Sequence, residues 1–113
     1  MMKMLIKLDE DKIRADGKYD VAAVWNWIDK QFARYNCIKE AKGEGKVLYS
    51  GNPVCDYFTC MGLSYLSLRK QQWFAQYCSE WVLYSNEDDE DLPLSDEDLL
   101  AKERMKNPLF SMV

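Results

Sequence analysis

A chain of 113 residues has room for one hydrophobic core and not for two. Its 48% hydrophobic and 13% aromatic content excludes a disordered polymer, and no apolar run approaches the ~18 residues of a membrane span. The net charge of −4, from 15 bases and 19 acids, conceals an asymmetry: eight acids and no base fall within Asn86 to Asp98, leaving the remainder at net +4.

Met4 to Leu8 is a short apolar run interrupted by Lys7, the pattern of a first strand. Asp9 to Gly17 then has the marks of one or two helical turns: Asp9 as N-cap, acids in the first turn and Gly17 to close. A helix starts at Asp20, because Val21, Val24, Trp25, Ile28, Phe32 and Tyr35 recur at three- and four-residue spacing. Asn36 suits its stop. Trp27 falls to the side of that stripe, beside Gln31 and Arg34. It is either covered by a neighbouring element, the favoured reading, or kept as an apolar anchor for a partner.

Cys37 to Lys46 reads as loop or weak strand, with Gly43-Glu44-Gly45 as a turn. Val47 to Tyr49 reads as a short strand closed by Gly51-Asn52-Pro53. Tyr57 to Leu68 is apolar on both alternating faces and is expected to be the central strand, with Gly62 at a bulge or a close backbone approach. A second helix is expected from about Lys70 to Val82, burying Trp73, Phe74, Tyr77, Cys78 and Trp81. Leu83-Tyr84-Ser85 then leads into the acidic run. Pro93 breaks that run, and Ser95 with Asp98 three residues on resembles a capping box for a last helix, Asp96 to about Lys106. Leu99, Leu100 and Met105 would form its modest apolar side, Asn107-Pro108 its end, and Leu109 to Val113 a loose tail. The resulting fold class is α+β: a small β-α-β-β-α domain with an antiparallel sheet, helices on one face and a short C-terminal helix. Residues 1–85 form the compact domain. Residues 86–113 are the acidic segment and terminal helix, either part of the same domain or an appendage to it.

The chain has no His, so the commonest general base near neutral pH is missing. It contains no phosphate-binding glycine loop, dinucleotide fingerprint or nucleophile elbow. Cys37, Cys55, Cys60 and Cys78 include no C-x-x-C pair, which argues for structural thiols over a metal site or a disulfide. The expectation is a protein that is not an enzyme and needs no cofactor and no metal. The start of the chain turns charged too early for a signal peptide, so cytoplasmic residence is the default.

Three readings of the acidic run stand side by side. It is a solvated loop that aids solubility, a divalent-cation loop, or a surface for electrostatic recognition. The cation loop is the weakest, since the run has no Gly for the sharp turn a calcium loop needs. Direct nucleic-acid binding is also weak: Lys39, Lys42, Lys46, Arg69 and Lys70 make no evident track.

Three segments carry a resemblance: Ile6-Lys7-Leu8-Asp9-Glu10-Asp11-Lys12-Ile13, Asp16-Gly17-Lys18-Tyr19-Asp20, and Lys70-Gln71-Gln72-Trp73-Phe74 leading through Glu80-Trp81 into the acids. In these the chain resembles small uncharacterised proteins of Firmicutes genomes and their mobile elements. The resemblance implies the class of anti-restriction and anti-CRISPR proteins, which are small, acidic and non-enzymatic.

The expectation drawn from all of this is a protein-binding module. Glu87, Asp88, Asp89, Glu90, Asp91, Asp96, Glu97 and Asp98, with Trp27 as anchor, would dock on a basic surface of another protein, in concrete form a nucleic-acid-binding nuclease. No contact with nucleic acid or a membrane is expected. The alternative is a structural or assembly protein that forms a homo-oligomer through exposed aromatics.

Overall fold

The computed structural model describes residues 2–51, 57–85 and 95–111, excluding the side chains of 57–60 and 111. The protein is α+β, built on one five-stranded antiparallel sheet in the order β2-β3-β1-β4-β5. The central strand is β1 (Met2–Leu8), flanked by β3 (Lys46–Ser50) and β4 (Cys78–Ser85); β2 (Ile38–Gly43) and β5 (Ser95–Asp98) are the edges.

Strand alternation sorts the sheet into two faces. Met4, Ile6 and Leu8 of β1, Val47 and Tyr49 of β3, and Trp81 of β4 point into one core. The helices supply the rest of that core: Ile13 from α1 (Glu10–Asp16), Val24, Ile28 and Phe32 from α2 (Val21–Ala33), Met61 and Leu68 from α3 (Tyr57–Leu68), Phe74 from α4 (Gln72–Tyr77), Leu99 and Leu100 from α5 (Leu99–Lys106), and Phe110 from α6 (Pro108–Ser111). The described helices therefore gather on one side of the sheet. The other face carries Lys3, Leu5, Lys7, Lys46, Leu48, Val82 and Tyr84.

The first half follows the expected local chemistry. Asp9 accepts from Lys12 N and caps α1, and Gly17 closes it in the left-handed region at φ 65. Asp20 caps α2 by accepting from Ala23 N, and Asn36 takes a positive φ of 56 just beyond it. The turn between β2 and β3 needs Gly45: its φ is +70, and a Cβ there would lie 2.9 Å from the Leu8 carbonyl oxygen.

The second half corrects four expectations. Tyr57 to Leu68 is the helix α3, not the central strand, and β1 takes the central place. Met61, Ser64 and Leu68 are buried and Tyr65 half-buried, which is a helical spacing. A long run apolar on both faces satisfies either period, and its twelve residues exceed an ordinary strand. The helix expected over Lys70 to Val82 is instead α4 followed directly by β4, so Trp81 lies on a strand paired with Ile6. The helix expected from Asp96 begins at Leu99: Ser95 to Asp98 pair with β4, and Asp98, not Ser95, is the cap, accepting from Ala101 N. Met105 is 89% exposed and contributes nothing to the core, whereas Glu103 is buried. Finally, residues 108–111 form α6 and put Phe110 into the core, where a loose tail was expected. Strand β5 and helices α5 and α6 thus share the sheet and core of the rest.

Candidate functional site

The expected partner-binding residues fall in three places. Glu87, Asp88, Asp89, Glu90 and Asp91 lie outside the described residues. Asp96, Glu97 and Asp98 stand exposed on β5, the edge of the sheet. Trp27 is half-buried on α2 and covered by Trp73 of α4, whose ring meets it edge-to-face at 5.2 Å. The covered alternative for Trp27 therefore describes its contact, and it does not stand beside Asp96, Glu97 and Asp98 as a ready anchor.

Two of the three described acids have local work. Glu97 forms an ion pair with Lys102 at 3.0 Å, both side chains half exposed. Asp98 holds the start of α5, as noted above. Asp96 has the plainest outward role, opposite Tyr84 in the β4–β5 register. The row continues across β1 to Lys3, which pairs with Tyr84 on one side and with Ser50 on the other. Asp96 and Asp98 are therefore continuous with the sheet face that no described helix covers, whereas Glu97, opposite Leu83, belongs to the helix side.

That face is a surface sequence spacing could not assemble. A hollow of about 460 Å³ lies over Leu5, Leu48 and Tyr84, with Lys3, Lys42 and Lys46 around it. The lysines come from three different strands and are up to 43 positions apart in the chain. Lys42 and Lys46 are paired, with Glu40 at 2.9 Å and Glu80 at 3.2 Å. The hydrogen bond and charge of Lys42 hold the Glu40 carboxyl below its ordinary value. Leu5 is 8% exposed, because Leu48 and Val82 flank it on the neighbouring strands.

A second concavity, of about 290 Å³ and mostly apolar, opens on the helix side between α3, β1 and the β5–α5 junction. Glu97 and Lys102 border it. A third hollow is polar and is lined by Asp9, Glu10, Asp11 and Glu44 among others. Three of these four carboxylates are already used: Asp9 caps α1, Glu10 accepts from Trp25 Nε1 at 2.8 Å, and Asp11 pairs with Arg14. Among the described residues no three acids, cysteines or histidines are placed to hold a metal ion. No described helix is long and apolar enough to cross a membrane.

Other polar side chains in the interior serve packing. Tyr49 donates to Asp29 at 2.5 Å while Lys39 donates to the other Asp29 oxygen at 2.8 Å, fixing α2 to β2 and β3. Burial, and then the Asp29 bond, pushes the Tyr49 hydroxyl far above its ordinary value. Burial likewise pushes up the Cys78 thiol, so it is a protonated core group and not a nucleophile.

No family model, no curated protein and no solved structure matches this chain.

Proposed function

We propose that this protein is a non-enzymatic binding module that docks its acid border on a basic surface of another protein, in concrete form as a nucleic-acid-mimicking inhibitor of a nuclease of the anti-CRISPR kind. The observation that carries the reading is the joining of exposed acids on an edge strand to an uncovered sheet face. Such a border offers carboxylates at close spacing to a groove that otherwise holds phosphates, and association steered this way is fast and salt-sensitive. The run Glu87 to Asp91 precedes β5 in the sequence and adds five carboxylates.

The test is a tagged pull-down from host lysate at low and moderate salt. A variant with Asp88, Asp89, Glu90, Asp91 and Asp96 changed to Asn or Gln runs alongside. Capture of a basic nucleic-acid-binding protein by the wild type alone, fading as salt rises, is the expected result. The same partners captured by the variant would leave the acids a solubility role only.

A second reading is supported by the uncovered face itself. Leu5, Leu48, Val82 and Tyr84 form an apolar strip across three strands, and a sheet face of this kind can pack on another sheet face. The protein would then be an assembly component acting as a homo-oligomer.

A further inference from the structure

We infer that the sheet face no described helix covers binds a second copy of this chain as a closed dimer. Its two-fold axis runs parallel to the strands, between β1 and β4. The inference rests on the assembly reading above and fixes which half of the face meets which.

Charge on this face is sorted by strand. Lys46 of β3 and Lys3 and Lys7 of β1 give one half three positive charges. Glu80 of β4 and Asp96 and Asp98 of β5 give the other half three negative charges. Glu40 and Lys42 of β2 neutralise each other at 2.9 Å. The boundary between the halves falls between the neighbouring strands β1 and β4. A partner of one sign suits only half of such a face. A second copy turned about that boundary suits both halves, because each basic half then lies over an acidic one.

The other two-fold that stacks the sheets runs across the strands. It sets each strand on its own copy, with acids on acids and bases on bases. Like charges facing each other across an interface are costly, so charge selects the parallel axis.

The strand register shows which residues meet. Lys3, Tyr84 and Asp96 share one level of the sheet, and Leu48, Leu5 and Val82 share the next. An axis parallel to the strands keeps each level on its own copy. The row of Leu48, Leu5 and Val82 then packs on the same row of the partner, as in other aligned sheet pairs. Lys3 comes to lie over the partner's Tyr84. The partner's Asp96 is one strand over, about 4.8 Å aside, within reach of a flexible four-carbon lysine stem. Both charges are available for this contact. Lys46 and Glu80 pair within the chain at 3.2 Å and Asp98 caps α5, whereas Lys3 and Asp96 have no ion pair among the described residues.

Sedimentation velocity of the whole protein across a dilution series, at low and moderate salt, tests the arrangement. The expected result is monomer and dimer with no larger species, the dimer weakening as salt rises. Lys3→Glu and Asp96→Lys should each raise the dimer Kd by about tenfold or more, since the two-fold repeats every change at two contacts. Combining the two changes in one chain should bring the Kd back to within about threefold of the wild type. If Lys3→Glu does not fold, Lys3→Gln should raise the Kd by about threefold.

A dimer that ignores these charges, or that the combined variant fails to restore, would overturn the arrangement and leave the assembly reading standing. Growth into larger species would do the same, because a closed two-fold stops at two copies. A dimer tightened by Lys3→Glu would assign the axis across the strands and overturn the parallel one. A monomer at every concentration would overturn the assembly reading and this inference together.

Discussion

Glu103 has no exposed surface, yet its carboxylate lies 3.1 Å from Arg69 Nε and accepts a hydrogen bond from the Tyr65 hydroxyl. Arg69 also stands over the Tyr65 ring, so three side chains from α3, the residues just after it and α5 form one polar plug in the core wall. Removing one member of such a pair strands the other. Glu103→Ala should lower the unfolding free energy by about 3 kcal/mol, the low end for a buried pair because Arg69 is one-third exposed. Urea titration should show the loss as a shifted midpoint at unchanged slope. Tyr49 and Cys78 predict a pH effect. Both are held protonated in the fold, whereas in the unfolded chain they ionise near 10.0 and 9.0. The unfolded state then holds fewer protons than the native one, so stability is fully present below about pH 9 and falls as pH rises further. Urea midpoints measured from pH 7 to 11 should decline above pH 9, and Tyr49→Phe should flatten the decline.

At the scale of elements, the helix α3 is where local reading and tertiary outcome part. Tyr57 to Leu68 is rich in aromatic and apolar side chains with no polar stripe, and neither period stands out over the other. Substitutions at Gly62 distinguish the two structures. In a helix, Gly62→Ala should stabilise by about 0.5–1 kcal/mol and Gly62→Val by less, because a β-branched side chain loses χ1 freedom against the preceding turn. A strand would rank Val first. Thermal melts of the two variants decide it. The α4–β4 junction misleads for a related reason: Trp73, Phe74, Tyr77, Cys78 and Trp81 fit a helical spacing, but the pairing of Trp81 to Ser85 with β1 prevails. At the other end, Phe110 is 1% exposed and stacks 6.0 Å from Trp81, so α6 is part of the core. Phe110→Ala should cost about 3–5 kcal/mol, read by the same urea titration.

For the whole molecule, the two readings of the uncovered face make opposite statements about mass in solution. If the face pairs with a second copy, light scattering across a dilution series should show a dimer that dissociates on dilution, and Leu48→Lys should make it monomeric. A monomer at every concentration leaves the face and its acid border to a different partner.

The cap at Asp9, the helix start at Asp20, the α2 stripe and the charge segregation were legible in the sequence, because each is carried by residues near one another in the chain, and the α+β class followed from the mix of such segments. The acids of the candidate border were visible for the same reason. Which segments became strands in the second half was not, since that depends on pairing between residues more than seventy positions apart, such as Ile6 with Trp81. The uncovered face and the apolar cavity on the helix side were likewise hidden. Each is made of side chains from several elements, and only packing all the described helices on one side of the sheet leaves the other side open.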